Sequence, residues 1–256
     1  MSARPRYLEI AAFSHAGLKR EANEDCLCVG DWTSPSVLPV PHRRRVPLTT
    51  PCLLAVADGM GGHAKGDVAS RMTIEHLSRE AGRIDNCDGV RGVLAEAHAA
   101  VLDRAAQNAT DAGMGSTVVG AVFRETDLLW FNVGDSRLYR RRDGLLRLVS
   151  FDDVPETERA TSSDVRRQSS LITAAIGGVA GGPALSPHCG IERLTDDACW
   201  LLCSDGLTDT MSNNQLEALF ELRPLDTVLA LVEAAFAAGA PDNISVIVAQ
   251  VVAGND

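Results

Sequence analysis

Apolar positions recur along this chain in two rhythms. The runs YLEIAAF (7–13), CLCVG (26–30), CLLAVAD (52–58) and NISVIVAQVV (243–252) are strand-length and too short for helices. GSTVVGAVFR, LLWFNVGDS, RLYRRR and LLRLV follow one another over 115–149, with the hairpin turn Asp143-Gly144 between the last two. Such short connections predict an antiparallel meander rather than crossover units. Further strands are expected near Ile191 and at CWLLCSD (199–205).

The second rhythm is helical. Ser70, Ile74, Leu77, Ala81 and Ile84 share one face of 67–84, and Val90, Leu94, Ala97 and Val101 share one face of the next segment. Ser212 with Gln215 forms a capping box that opens a third helix. Residues 225–238 repeat apolar side chains at helical spacing and stop at Gly239. Two polar stretches break the pattern. Residues 31–51 hold five of the eleven prolines and read as a long exposed loop, and residues 151–170 read as a flap. Early helices, a meander and late helices give an α+β chain. Its simplest burial scheme is two antiparallel sheets packed as a sandwich, with helix pairs on both outer faces, as a single domain over 1–256.

Composition narrows the function. With 45% apolar and 23% charged residues, the chain reads as an ordinary globular protein. A formal charge of −10 argues against general nucleic-acid binding, which needs a basic surface. No apolar run spans a membrane, and MSARPRYLEI lacks the core of a secretory signal. The seven cysteines form no CxxC pair and are expected as buried thiols of a reducing cytoplasm rather than a zinc site or a disulfide frame. The basic run at 42–45 is expected on a solvated face, with a docking patch for acidic substrate as the alternative.

The decisive stretch is AVADGMGGHAKGD (55–67). Gly59 to Ala64 fits the G-x-G-x-x-A spacing of a dinucleotide loop. Asp58 would repel a pyrophosphate there, the acid expected about 20 residues on falls within a helix, and a meander follows. Lys65 precedes Gly66, so the stretch is not a Walker loop either. A metal site fits better, because acids recur at strand ends: Glu24 and Asp25, Asp58 beside Gly59, Asp135, Asp205 and Asp242. Strands of packed sheets end at common edges. Carboxylates gathered there repel one another unless a cation lies between them. All are hard oxygen donors, which favour Mg²⁺ or Mn²⁺, and glycine beside Asp58 lets its own carbonyl approach a metal closely.

The segments GLKREANED, AVADGMGGHAKGDVAS, GSTVV, VGDSRLYR, LLCSDGLTD and PDNISVIV, in this order over 17–248, resemble the metal-dependent protein serine/threonine phosphatases of type 2C in their bacterial form. The resemblance implies a helix-flanked β-sandwich with a binuclear centre of Mn²⁺ or Mg²⁺ at one edge. Asp58 would bridge both ions, and Asp205 and Asp242 would complete one of them. The Gly59 carbonyl would bind the other, with Glu24 and Asp25 touching it directly or through water. Asp135 with Asp205 would form a third-ion site, and Arg20 would grip the substrate phosphate. Water activated by the ion pair would attack phosphorus in line. Implied partners are phosphorylated proteins and a cognate Ser/Thr kinase, for a cytoplasmic monomer. The sequence departs from the family in places. Met60 stands where eukaryotic members place a histidine proposed as general acid, and His63 lies at the expected helix start, where a structural role is favoured over proton donation. Ala22 and Ala174 replace the Asn and Arg common in bacterial relatives, and the flap is short. A catalytically silent phosphopeptide-binding scaffold and a hydrolase of small phosphate esters are the alternatives.

Overall fold

Strand β1 (Arg6–His15) shows how alternation builds the molecule: Leu8, Ile10 and Ala12 are buried between two sheets, while Ala11 is buried on the opposite face. The computed structural model describes residues 5–61, 65–155, 171–178, 184–196, 198–221 and 223–254. His63 and flap residues 156–170 therefore lie outside the described residues.

After β1 come β2 (Asp25–Val29), β3 (Trp32–Thr33), β4 (His42–Pro47) and β5 (Cys52–Met60), then helices α1 (Gly66–Arg79) and α2 (Cys87–Gln107). Next come β6 (Gly115–Ser116), β7 (Val118–Phe123), β8 (Asp127–Val133), β9 (Arg137–Arg142) and β10 (Leu145–Leu148); the expected single meander gives way to two hairpins, β7–β8 and β9–β10, because the chain crosses from one sheet to the other after β8. The chain continues with β11 (Ile176–Gly177), β12 (His188–Arg193), β13 (Cys199–Cys203), α3 (Asp205–Thr208), α4 (Asn213–Ala218), α5 (Pro224–Ala237) and β14 (Ile244–Ala253). One sheet runs β10-β9-β13-β14-β1-β4. The other runs β11-β6-β5-β7-β8-β12, with β2 also on β5 and β3 on β2. Every described strand pair is antiparallel.

Three apolar layers result. The middle one joins the sheets through Leu8, Leu54, Phe123, Trp200 and Ile247. The second seats α1 and α2 on the eight-stranded sheet through Ile74, Leu77, Val90 and Leu94. The third seats α4 and α5 on the six-stranded sheet through Leu216, Val228, Leu231 and Val246. Burying each such side chain contributes about 1.5–3 kcal/mol. This is the expected α+β sandwich with helices on both outer faces.

Several expectations change. Residues 31–51 are not one loop, because HRRR opens β4, which pairs with β1. Helix α1 stops at Arg79, and a short 3₁₀ turn at Ala81–Arg83 precedes Ile84. CLLAVAD runs on to Met60, so Gly59 is a strand residue opposite Ser116. α3 adds a helical turn right after β13. The capping box at Ser212 and the Asp143-Gly144 turn stand where the pattern placed them, with both turn residues at positive φ. Cys26, Cys28, Cys52, Cys199 and Cys203 are buried free thiols as expected. Cys87 and Cys189 instead form a disulfide that ties the start of α2 to β12, their Cα atoms being 5.9 Å apart.

Candidate metal centre and active site

The register of the β2–β5 ladder places Asp25 directly opposite Asp58. Like charges facing each other across strands are unfavourable, so something must offset them. Neither strand acts alone, since β13 and β14 of the other sheet end at the same edge. The Ser204 N–H donates to the Ser245 carbonyl at 3.0 Å, which brings Asp205, at the first turn of α3, beside the start of β14. Asp242 lies two residues before β14, and Asp135 follows β8.

These elements wall a cavity of about 400 Å³ lined by Arg20, Glu21, Glu24, Asp58, Gly59, Asp135, Asp205 and Asp242, together with Ala22, Met60, Gly61, Thr117, Ile172 and Asn243. Six carboxylates and one guanidinium thus face one space, with Asp25 buried beneath it. Every acid anticipated at a strand end is brought to this edge. Among the described residues, no three His, Cys, Asp or Glu side chains gather as a ready metal cluster. The Asp242 carboxylate accepts from Arg20 Nη2 at 2.7 Å and from the Asn243 N–H at 2.8 Å, so Arg20 sits within the acid group. No cysteine lines the cavity, and burial pushes the Cys52 thiol up to about 11 and that of Cys199 to about 12. Cysteine nucleophilic chemistry thus has no candidate among the described residues.

The electrostatics follow from crowding. Burial pushes Asp25 up to about 7, with Ser245 and Ser204 hydrogen bonds opposing the shift. Burial first, then Asp135, Asp209 and Asp242, raises Asp205 to about 8. Asp58 stands well above the usual carboxylate range because of burial and the charges of Asp25, Asp205 and Asp135. Although Asp58 keeps some exposed surface, its carboxylate lies deep among these neighbours. Glu24 is raised by burial and then by Asp67.

Asp25 supplies the direct test of cation fit. Its Oδ2 accepts from Ser204 Oγ at 2.8 Å, whereas its Oδ1 is buried with no hydrogen-bond partner. An unpaired buried carboxylate oxygen is costly, and the other donors around it are oxygens too. This donor set fits hard divalent cations.

The raised values have a consequence for stability. The folded, cation-free chain retains protons that an unfolded chain releases near pH 4. Its stability therefore falls as pH rises toward 8. Divalent cations replace those protons. The cation-free chain should melt at lower temperature at pH 8 than at pH 6, and saturating Mn²⁺ should raise the melting temperature more at pH 8. Equal Mn²⁺ shifts at the two pH values, read by calorimetry, would contradict the grouping of these acids.

The structure adds residues that the sequence pattern passed over. Asn243 Oδ1 accepts from the Glu24 N–H at 2.8 Å, and its Nδ2 donates to the carbonyls of Ala16 at 3.1 Å and Ala22 at 2.9 Å. One side chain thereby holds the loop that presents Arg20. Ser14 Oγ and Ser245 Oγ lie 2.8 Å apart, and Asn23 Nδ2 donates to Ser14 Oγ at 2.8 Å. With Ser204 they form a buried polar seam between the sheets. The Thr117 hydroxyl accepts from the Asp58 N–H at 3.2 Å and meets Ser136 Oγ at 2.7 Å. Asp153 fixes the turn before Asp135: its Oδ2 accepts from the Gly134 N–H at 2.9 Å, while its Oδ1 meets His188 Nε2 at 2.9 Å. The one available signal was hydroxyls and amides interrupting apolar strands, as in FSH, CSD and DNIS.

Known proteins resemble this chain in sequence and fold. The family model for protein phosphatase 2C matches residues 46–238. The serine/threonine protein phosphatase PstP of Mycobacterium tuberculosis is 35% identical over 262 residues, covering 96% of this chain and 45% of the relative. The chain therefore spans about half the length of that curated relative. A structure of the PstP catalytic domain in complex with two manganese ions aligns with a TM-score of 0.78 at 30% identity, covering 96% of this chain and 99% of that one. PppA, a regulatory component of T6SS in Pseudomonas aeruginosa, aligns with a TM-score of 0.75 at 30% identity, covering 96% and 98%. A two-sheet fold, an acid-lined edge and a model match across most of the chain agree: this chain belongs to the protein phosphatase 2C family.

Proposed function

We propose that this chain hydrolyses phosphoserine and phosphothreonine in proteins, using two divalent cations, Mn²⁺ or Mg²⁺. The observation that carries the reading is one cavity in which Asp58, Asp205, Asp242 and Asp135 stand beside Arg20. Asp58 would be shared by the two cations, Asp205 and Asp242 would complete one, and the Gly59 carbonyl, with Glu24 and Asp25, would serve the other. Asp135 together with Asp205 would hold a third. Bound there, the cations supply a water acidified toward neutral pH and charge to polarise the phosphoryl oxygens.

The chain's own groups do the rest. Arg20 exchanges its bond to Asp242 for two oxygens of the substrate phosphate, which a planar fork matches. Asn243 holds that loop in reach, and the Thr117–Ser136 pair keeps the Asp58 backbone in place. Asp25 stays fixed by Ser204 and keeps one oxygen free for a cation. Phosphoproteins made by a cognate Ser/Thr kinase, a cytoplasmic location and a monomeric single-domain state belong to the same reading. Among the described residues no helix is long and apolar enough to cross a membrane.

Release of phosphate from a phosphothreonine peptide, with Mn²⁺ and after EDTA, tests the proposal. Turnover should require the cation and exceed that on a matched phosphotyrosine peptide. Tight peptide binding without turnover would favour the silent scaffold. Arg20→Ala should raise KM for the phosphopeptide about ten- to hundredfold, because a charge-assisted bidentate contact is lost. Steady-state kinetics with unchanged Mn²⁺ binding would confirm that role, and an unchanged KM would remove it.

A further inference from the structure

The basic run HRRR lies on β4, the outermost strand of its sheet, whose other edge carries no strand among the described residues. The register sets Arg43 opposite Ala11 and Arg45 opposite Glu9, while Arg44 stands opposite Ile10. Ile10 belongs to the core between the sheets and Ala11 to the layer beneath α5, so Arg43 and Arg45 share the outer face. They stand two residues, about 7 Å, apart.

The start of α5 meets them there. Arg223, Pro224 and Leu225, with Glu9, Ile10 and the three arginines of β4, wall a groove of about 320 Å³. Arg43, Arg45 and Arg223 bring three guanidiniums toward one carboxylate there, in a chain whose net charge is −10, while Arg44 shares the opposite face with Ile10. Nearby acids engage two of these arginines, since Arg44 pairs with Asp31 and Arg223 with Asp226. Arg45 reaches Glu9 only at 3.8 Å and rests over the Tyr7 ring at 4.4 Å. Arg43 has no ion pair among the described residues. The positive charge still open to a ligand is therefore centred on Arg43 and Arg45.

An extended peptide presents alternate side chains on one face. Arginines at i and i+2 complement acids at i and i+2. Nucleic acid or an anionic bilayer would bring far more negative charge against the whole negative chain than a short acidic segment does. Ala11 lies four residues, about 13 Å, before the end of β1 at His15, where the loop carrying Arg20 begins.

We propose that the groove between β4 and the start of α5 docks an extended acidic segment of the phosphoprotein substrate. Docking would raise the effective concentration of the phosphorylated residue at the acid-lined cavity. The inference rests on the phosphatase reading above, and the test separates the two. Three substrates are compared: p-nitrophenyl phosphate, a short phosphothreonine peptide, and the same peptide linked through Gly/Ser to a segment with glutamate at alternate positions. A fluorescent, unphosphorylated form of that segment reports binding by anisotropy. The R43E/R45E variant should lower kcat/KM for the extended peptide about five- to tenfold through KM and leave the other two substrates unchanged. R43Q/R45Q replaces it should the reversal fail to fold. The wild-type preference should shrink with added salt. A neutral segment binding as well as the acidic one would overturn the docking site, as would stronger binding to phosphatidylserine vesicles or to single-stranded DNA. Absent turnover of p-nitrophenyl phosphate would instead count against the phosphatase reading, while anisotropy still decides docking.

Discussion

Asp58→Asn should lower the rate of phosphate release by about a thousandfold or more while leaving the protein folded. The expectation follows from where the carboxylate sits. Asp58 faces Asp25 across the β2–β5 ladder and feels Asp205 and Asp135 as well. The amide keeps the shape but removes the charge that two cations would share. A thousandfold corresponds to about 4 kcal/mol of lost transition-state stabilisation. Stability should move the other way. Removing one of several crowded carboxylates relieves repulsion, so the cation-free variant should melt no lower than the parent. Calorimetric titration should show weakened Mn²⁺ binding alongside the lost rate. A variant retaining near-parental turnover would disprove the assigned role of Asp58, and loss of fold would mean that this carboxylate is structural.

The meeting of these acids was legible because strand ends in a sandwich share an edge. Apolar runs located the strands, and the candidate acids followed or preceded such runs beside small residues. The supporting groups were harder to read. Asn243 and Ser204 act through loops and strands more than 150 residues away in sequence, and nothing local distinguishes a hydroxyl that bonds across sheets from one that turns a loop. The basic run 42–45 was masked by its neighbours. Prolines at 35, 39, 41, 47 and 51 signal a loop, yet an edge strand tolerates Pro at its end, and β4 ends on Pro47. The Cys87–Cys189 bond spans 102 residues, a pairing that spacing alone does not define. His63 and most of the flap lie outside the described residues, so their expected roles stand where the sequence left them.

Gly59→Ala should lower activity about a hundredfold through one added methyl group. The sequence offered two reasons for this glycine: a phosphate-cradling loop, or a carbonyl free to approach a metal. The structure supplies a third and more demanding one. A Cβ on Gly59 would lie 2.2 Å from the Gly66 carbonyl oxygen and 2.5 Å from that of Glu24, both backbone atoms. The constraint is mutual, since a Cβ on Gly66 would lie 2.8 Å from the Gly59 carbonyl carbon. The end of β5 and the start of α1 thus touch backbone to backbone, directly beside Asp58. Relief requires α1 or the Glu24 segment to retreat by about 1 Å, and misplacement of that size can cost about a hundredfold in rate. Overpacking should also cost about 1–3 kcal/mol of stability. Gly92→Ala on α2 provides the control. A Cβ there meets nothing within 4 Å, so the helix should gain about 1 kcal/mol and activity should not change. Normal Mn²⁺ binding and turnover in Gly59→Ala would show that β5 and α1 can part without disturbing the acids, and the rigid contact would then not be what sets the site.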